Sequence, residues 1–197
     1  DTPLSVYLKL AYEPHTYLLE SVVGGERFGR YSFIGLAADT RLEVRGYECS
    51  EFVGGELRSR TQVDDPLNFV AQYQARFKAA PQAGLPRFCG GLVGYFGYDT
   101  VRYIERRLAG TKKPDPLDLP DILLVLSQEL AIVDNLSGKL TLVVYVDPGH
   151  SGAYRAGRRR LGELLEKLRA PVTIPGDAPA ASESAVSGFG EAAYLAA

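Results

Sequence analysis

Leu18-Leu19-Glu20-Ser21-Val22-Val23-Gly24-Gly25-Glu26-Arg27-Phe28-Gly29-Arg30-Tyr31-Ser32-Phe33-Ile34-Gly35 reads as a strand, a tight Gly-Gly connection and a second strand. Apolar residues flank an acid, a hydroxyl and two arginines gathered around the double glycine. The residues alone leave two readings of Glu20, Ser21 and Arg30 open. They satisfy one another inside a buried strand pair, as buried polar groups usually do, or they face a pocket while their apolar neighbours hold the core.

On either side of this run the chain alternates short helices and strands. Thr2-Pro3 is a helix start, a hydroxyl cap followed by proline at the first helical position. Leu4, Tyr7, Leu8 and Ala11 then recur at helical spacing until Pro14. Residues 16–22 and 31–36 predict strands, and Leu42 and Val44 alternate with charged residues as in a half-buried strand. Gly54-Gly55 between Val53 and Leu57 predicts a hairpin turn. Asp65-Pro66 repeats the cap-plus-proline signal, and Phe69, Val70, Tyr73 and Phe77 give one apolar helix face. Residues 86–98 are glycine-rich and strand-like. Asp99 is placed to cap a helix whose inner face would be Val101, Ile104 and Leu108.

After a Lys-, Pro- and Asp-rich loop, residues 122–126, 130–133 and 139–146 predict three consecutive strands and hence an antiparallel sheet, with a turn at 135–138. Ser151 opens a long helix with Tyr154, Leu161, Leu164, Leu165 and Leu168 toward the core. Residues 171–187 are dominated by Pro, Ala, Gly and Ser and predict a linker. Residues 189–197 read as the start of an amphipathic helix, marginal unless something packs on it, so the sequence is expected to stop just inside a second domain.

Composition limits the function classes. The chain has 197 residues and a formal net charge of −2, without the clustered Lys and Arg that nucleic acid or an anionic membrane attracts. No apolar run approaches the roughly 20 residues of a membrane span. Cys49 and Cys89 are the only cysteines, so no disulfide framework is expected and a reducing cytoplasm is the expected home. His15 and His150 lack partners at zinc-ligand spacing, and no GxSxG-type nucleophile motif is present. Gly90-Gly91-Leu92-Val93-Gly94-Tyr95-Phe96-Gly97-Tyr98-Asp99 lacks phosphate-loop spacing and reads as glycines allowing close backbone approach. Arg158-Arg159-Arg160, followed by Glu163 and Glu166, reads as a salt-bridged helix face.

The chain also resembles a known family. The Leu18–Ser21 run with Arg30–Gly35, the Gly90–Asp99 segment followed by Val101-Arg102-Tyr103, and the opening 2–7 are similar to the start of anthranilate synthase component I. Residues 189–195 resemble the opening of that family's chorismate-binding region. The resemblance implies an α+β fold of mostly antiparallel sheet packed with helices, forming half of a β-sandwich that the catalytic half completes. It implies a regulatory region at 1–170, the linker at 171–187 and the start of the catalytic region at 188–197. It further implies that Ser21, Arg30 and Glu20 belong to a site for L-tryptophan as feedback effector. The parent would convert chorismate and ammonia to anthranilate and pyruvate with Mg2+, the ammonia coming from a glutamine amidotransferase subunit. Catalytic, chorismate-binding and metal-binding residues of the family have no counterpart here, so no catalytic or metal residue is assigned. The related N-terminal half of aminodeoxychorismate synthase component I, and a stand-alone amino-acid-binding module, are the alternative readings.

Overall fold

The computed structural model describes residues 1–23, 27–80, 82–108, 110, 115, 117–176 and 187–196, and the backbone alone at 21–23, 27, 28 and 106. Helix α1 (Pro3–Leu10) starts where the sequence predicts, with the Thr2 hydroxyl accepting a hydrogen bond from Ser5 N at 3.2 Å. Its buried residues are Val6 and Leu10, with Ala11 just beyond, whereas Leu4 is exposed.

Strands β1 (Tyr17–Val23) and β2 (Arg27–Gly35) pair antiparallel. Strands β3 (Thr40–Arg45), β4 (Glu48–Val53) and β5 (Glu56–Gln62) follow as a meander. The β4–β5 turn falls on Gly54 and Gly55, at φ +60° and +86°, the left-handed pair that a two-residue hairpin of this twist requires. Helix α2 (Pro66–Ala75) is capped by Asp65, whose carboxylate accepts from Asn68 N at 2.9 Å. It buries Val70 and Tyr73, and the Tyr73 hydroxyl donates to Glu51 Oε1 at 2.6 Å.

Strand β6 (Gly91–Phe96) is shorter than the strand-like stretch in the sequence. The following helix, α3 (Val101–Ile104), is a single turn. Asp99 pairs with Arg102 at 3.1 Å and does not cap, and Ile104 and Leu108 are exposed. A one-turn helix has no stripe to bury. Tyr103 turns inward in their place, its hydroxyl donating to Gly46 O at 2.7 Å and Asp121 Oδ2 at 3.0 Å.

Strands β7 (Ile122–Ser127), β8 (Glu129–Asp134) and β9 (Lys139–Val144) do not form one meander. Gln128 alone separates β7 from β8, too little chain for a reversal. The strand runs on into another sheet. One sheet has the order β1-β2-β8-β9, the other β5-β4-β3-β7-β6, and every neighbouring pair is antiparallel. The chain crosses between sheets twice, at β2–β3 and β7–β8. The crossings lie side by side, with Leu36 N donating to Glu129 O at 3.0 Å.

Each sheet is covered on one face. Helices α1 and α4 (Ala153–Arg169) lie on the first, around Val6, Leu10, Ile34, Leu36, Ala131 and Leu164. Helix α2 lies on the second, around Leu42, Val44, Cys49, Val70, Tyr73 and Ile122. On α4 the buried residues are Gly157 and Leu164, with Leu168 partly buried; Tyr154 and Leu165 face solvent, contrary to the sequence reading. The stripe is narrow because Gly157 brings the helix against Val146. Arg160 chelates Glu129 at 2.8–3.0 Å and also reaches Glu163 at 3.2 Å, so the arginine run is an ion-paired face that anchors the helix to β8. Residues 171–176 have no regular structure, part of the predicted linker lies outside the described residues, and α5 (Glu191–Ala196) buries nothing. The result is an α+β fold of antiparallel sheets packed with helices.

Both cysteines are free. Cys49 is 2% exposed, and burial pushes its thiol up to about 11. A thiol reagent at pH 8 is therefore expected to leave Cys49 unmodified in the native chain and to reach it only in denaturant. Peptide mapping by mass spectrometry checks this; prompt native labelling of Cys49 would contradict the buried β4 register.

Candidate functional site

The β1–β2 ladder is interrupted where its polar residues lie. Glu20 pairs with Ser32 but Val22 pairs with Phe28, so Ser21 alone stands opposite Gly29, Arg30 and Tyr31. Such a bulge bends the strand and re-aims side chains. Beside it opens a cleft of about 520 Å³. Its walls are Thr2, Pro3 and Leu4 at the start of α1, Glu20 of β1, Gly29 and Arg30 of β2, and Asn135 and Leu136 of the β8–β9 turn.

The polar groups form one connected set. Arg30 Nη2 donates to Asp134 Oδ2 at 3.2 Å; the arginine side chain is 58% exposed and the aspartate 16%. This hydrogen bond pushes the Arg30 guanidinium above its ordinary value and holds the Asp134 carboxyl below its own. Asp134 Oδ1 accepts from the N–H groups of Leu136 at 3.1 Å and Ser137 at 3.4 Å, which fixes the turn. Asn135 N donates to Arg30 O at 2.7 Å. Its side-chain amide donates to Gly29 O at 2.9 Å and Ser32 Oγ at 3.1 Å. Ser32, 1% exposed, in turn donates to Glu20 Oε1 at 3.4 Å. The cleft therefore combines a guanidinium, itself paired with Asp134, the Glu20 carboxylate and the exposed apolar side chains of Leu4 and Leu136. That combination suits a small ligand with both charges and an apolar body.

Of the residues singled out in the sequence, Glu20 and Arg30 line the same cleft. Ser21 lies between them along the backbone, and its side chain is outside the described residues, as are Gly24 to Glu26 altogether. Asp134 and Asn135 escaped the sequence reading, which saw only a turn; their one local signal is an Asp-Asn pair opening it. A second cleft of about 230 Å³ lies between α1 and the segment after α4, where Lys9 is occupied by Asp1 at 2.8 Å and Leu168 O at 2.8 Å. Among the described residues no group of three or more His, Cys, Asp and Glu could hold a metal ion, and no helix is long and apolar enough to cross a membrane.

No family model matches the chain. Individual proteins do. Anthranilate synthase component 1 of Pseudomonas putida is 54% identical over 173 residues, 88% of this chain and 35% of that protein. The protein of the same name from Neisseria meningitidis serogroup B is 51% identical over 199 aligned positions, 100% of this chain and 40% of its own length. The chain belongs to the anthranilate synthase component I family. It spans two fifths or less of the length of these relatives. The crystal structure of anthranilate synthase component I from Streptococcus pneumoniae TIGR4 shares its fold, with a TM-score of 0.57 and 24% identity over 87% of this chain and 35% of the other.

The segments that carry the anthranilate synthase resemblance now have places. The Leu18–Ser21 run is β1, the Arg30–Gly35 run is the end of β2, and the Gly90–Asp99 segment is β6 with the turn after it. Gly35 is required by contact: a Cβ there would lie 2.0 Å from the Tyr17 ring, whose hydroxyl is hydrogen-bonded to the buried Ser127 at 2.7 Å.

Proposed function

We propose that this chain is the N-terminal, tryptophan-sensing region of an anthranilate synthase component I. The observation that carries the reading is the cleft that brings Glu20 and Arg30 together beside apolar walls. Free tryptophan presents a carboxylate, an ammonium and an indole. Arg30 supplies donors in a fork that matches a carboxylate. Glu20 supplies the acceptor for the ammonium, and the family resemblance adds Ser21 to the same site. Leu4, Leu136 and Pro3 offer apolar surface to the indole. An aromatic body of this kind buries roughly 150–250 Å², worth about 4–6 kcal/mol at ~25 cal/mol per Å². The apolar contacts then carry affinity, and the charged ends carry selectivity.

In this reading residues 1–170 form the regulatory region, 171–187 the linker, and 188–197 the beginning of the catalytic region. The remainder of the parent protein completes a β-sandwich with this half and closes the effector cleft. The parent acts as a cytoplasmic lyase on chorismate, with ammonia from glutamine delivered by an amidotransferase subunit. We place the Mg2+ that the resemblance assigns to that reaction, the chorismate contacts and the catalytic groups in the remainder.

The test is anthranilate fluorescence with chorismate, magnesium and ammonia. The full-length protein is expected to turn over chorismate and to be inhibited by tryptophan, and the 197-residue chain alone to give no rate above background. Turnover that scales with the amount of the isolated chain, or a full-length enzyme indifferent to tryptophan, would overturn the reading.

A further inference from the structure

We propose that Asp134 and Asn135, in the turn between β8 and β9, are positioning residues that hold the two charged ends of the cleft and select a zwitterion over its singly charged analogues. The inference rests on the effector reading above and names what sets the selectivity of that site.

Arg30 is a long side chain, more than half exposed. Without a fixed partner it would spread over many rotamers, at an entropic cost to any ligand that had to gather it. Asp134 supplies that partner. One of its carboxylate oxygens is held by the Leu136 and Ser137 amides, and the other holds the guanidinium. A ligand carboxylate docking on Arg30 therefore arrives beside a resident carboxylate. An anion without an ammonium meets that repulsion uncompensated. A zwitterion places its ammonium toward Glu20, so each of its charges has an opposite neighbour.

Asn135 acts on the other end. It holds the carbonyls of Gly29 and Arg30, which lie in the break of the β1–β2 register, at 2.9 and 2.7 Å. Its amide also engages Ser32 Oγ, leaving the Ser32 proton to point at Glu20. Ser32 is buried and has two fixed neighbours, so this chain sets where the Glu20 carboxylate sits.

The experiment is calorimetric titration of the full-length protein with tryptophan, indole-3-propionate, which lacks the ammonium, and tryptamine, which lacks the carboxylate. Wild type is expected to prefer tryptophan to both. Asp134→Asn leaves the Arg30 charge uncompensated and is expected to weaken tryptophan and tryptamine roughly tenfold, and indole-3-propionate by clearly less, because relief of the repulsion offsets the loosened guanidinium. Asn135→Ala is expected to weaken the two ammonium-bearing ligands more than indole-3-propionate. Asp134→Glu, which keeps the charge, is expected to retain the preference, and it carries the test if Asp134→Asn does not fold. Equal loss for all three ligands in Asp134→Asn or Asn135→Ala, or loss of the preference in Asp134→Glu, would overturn the positioning role while leaving the effector site standing. A wild type that binds none of the three overturns both.

Discussion

Gly94→Ala is expected to detach β6 from the second sheet and to cost roughly 3–5 kcal/mol of stability. A Cβ at this position would lie 1.9 Å from Leu123 O, 2.9 Å from Leu123 C and 3.0 Å from Leu124 Cα. These are backbone atoms of β7, the strand β6 pairs with, so no rotamer change relieves the clash. The strands must separate, and among the described residues β6 is an edge strand with β7 alone to hold it. Gly162→Ala is the matching control. Gly162 lies within α4 and a Cβ there meets nothing within 4 Å, so alanine should stabilise by about 0.5–1 kcal/mol through the lower entropy of the unfolded chain. Chemical denaturation followed by circular dichroism measures both. A Gly94→Ala variant as stable as wild type would mean that the β6–β7 pairing is not formed as described.

Ser21→Phe or Ser21→Leu in the full-length enzyme is expected to raise the tryptophan inhibition constant more than tenfold. Ser21 is the β1 residue opposite the three-residue excursion of β2, Gly29 to Tyr31, and the neighbour in sequence of Glu20. If Ser21 belongs to the effector site, as the resemblance implies, added bulk takes up effector space, and a lost hydroxyl hydrogen bond costs about 1 kcal/mol more. Inhibition curves at fixed chorismate decide it. An inhibition constant that does not move, in a variant whose melting matches wild type, would make Ser21 a core residue with no part in sensing.

The elements that the sequence specifies are those whose cause is local. Thr2-Pro3 and Asp65-Pro66 start helices because a side-chain oxygen three residues from an orphan N–H and a proline with preset φ act within one turn. Gly54-Gly55 closes a hairpin because only glycine takes that turn without strain. The faces of α3 and α4 were read wrongly for the opposite reason. Which residues a helix buries depends on what it meets, and Tyr154, Leu165, Ile104 and Leu108 meet solvent while Tyr103 finds Gly46 and Asp121.

The same division runs through the candidate site. Glu20 and Arg30 drew notice because they sit within one short hairpin, and a hairpin brings its own residues together; they line the cleft. Asp134 and Asn135 did not, because they reach the cleft only through the pairing of β2 with β8, strands about a hundred residues apart in the chain. Strand partnership at that separation is decided by how the first sheet buries Ile34 and Ala131, with Leu36, beneath α1 and α4, and no local pattern records it. Sequence by itself specified most of the secondary elements and, through the family resemblance, the α+β class; it singled out Glu20 and Arg30 but left open whether they faced a pocket. The tertiary structure alone decided that β7 and β8 part into different sheets, and that the β8–β9 turn closes over the charged pair.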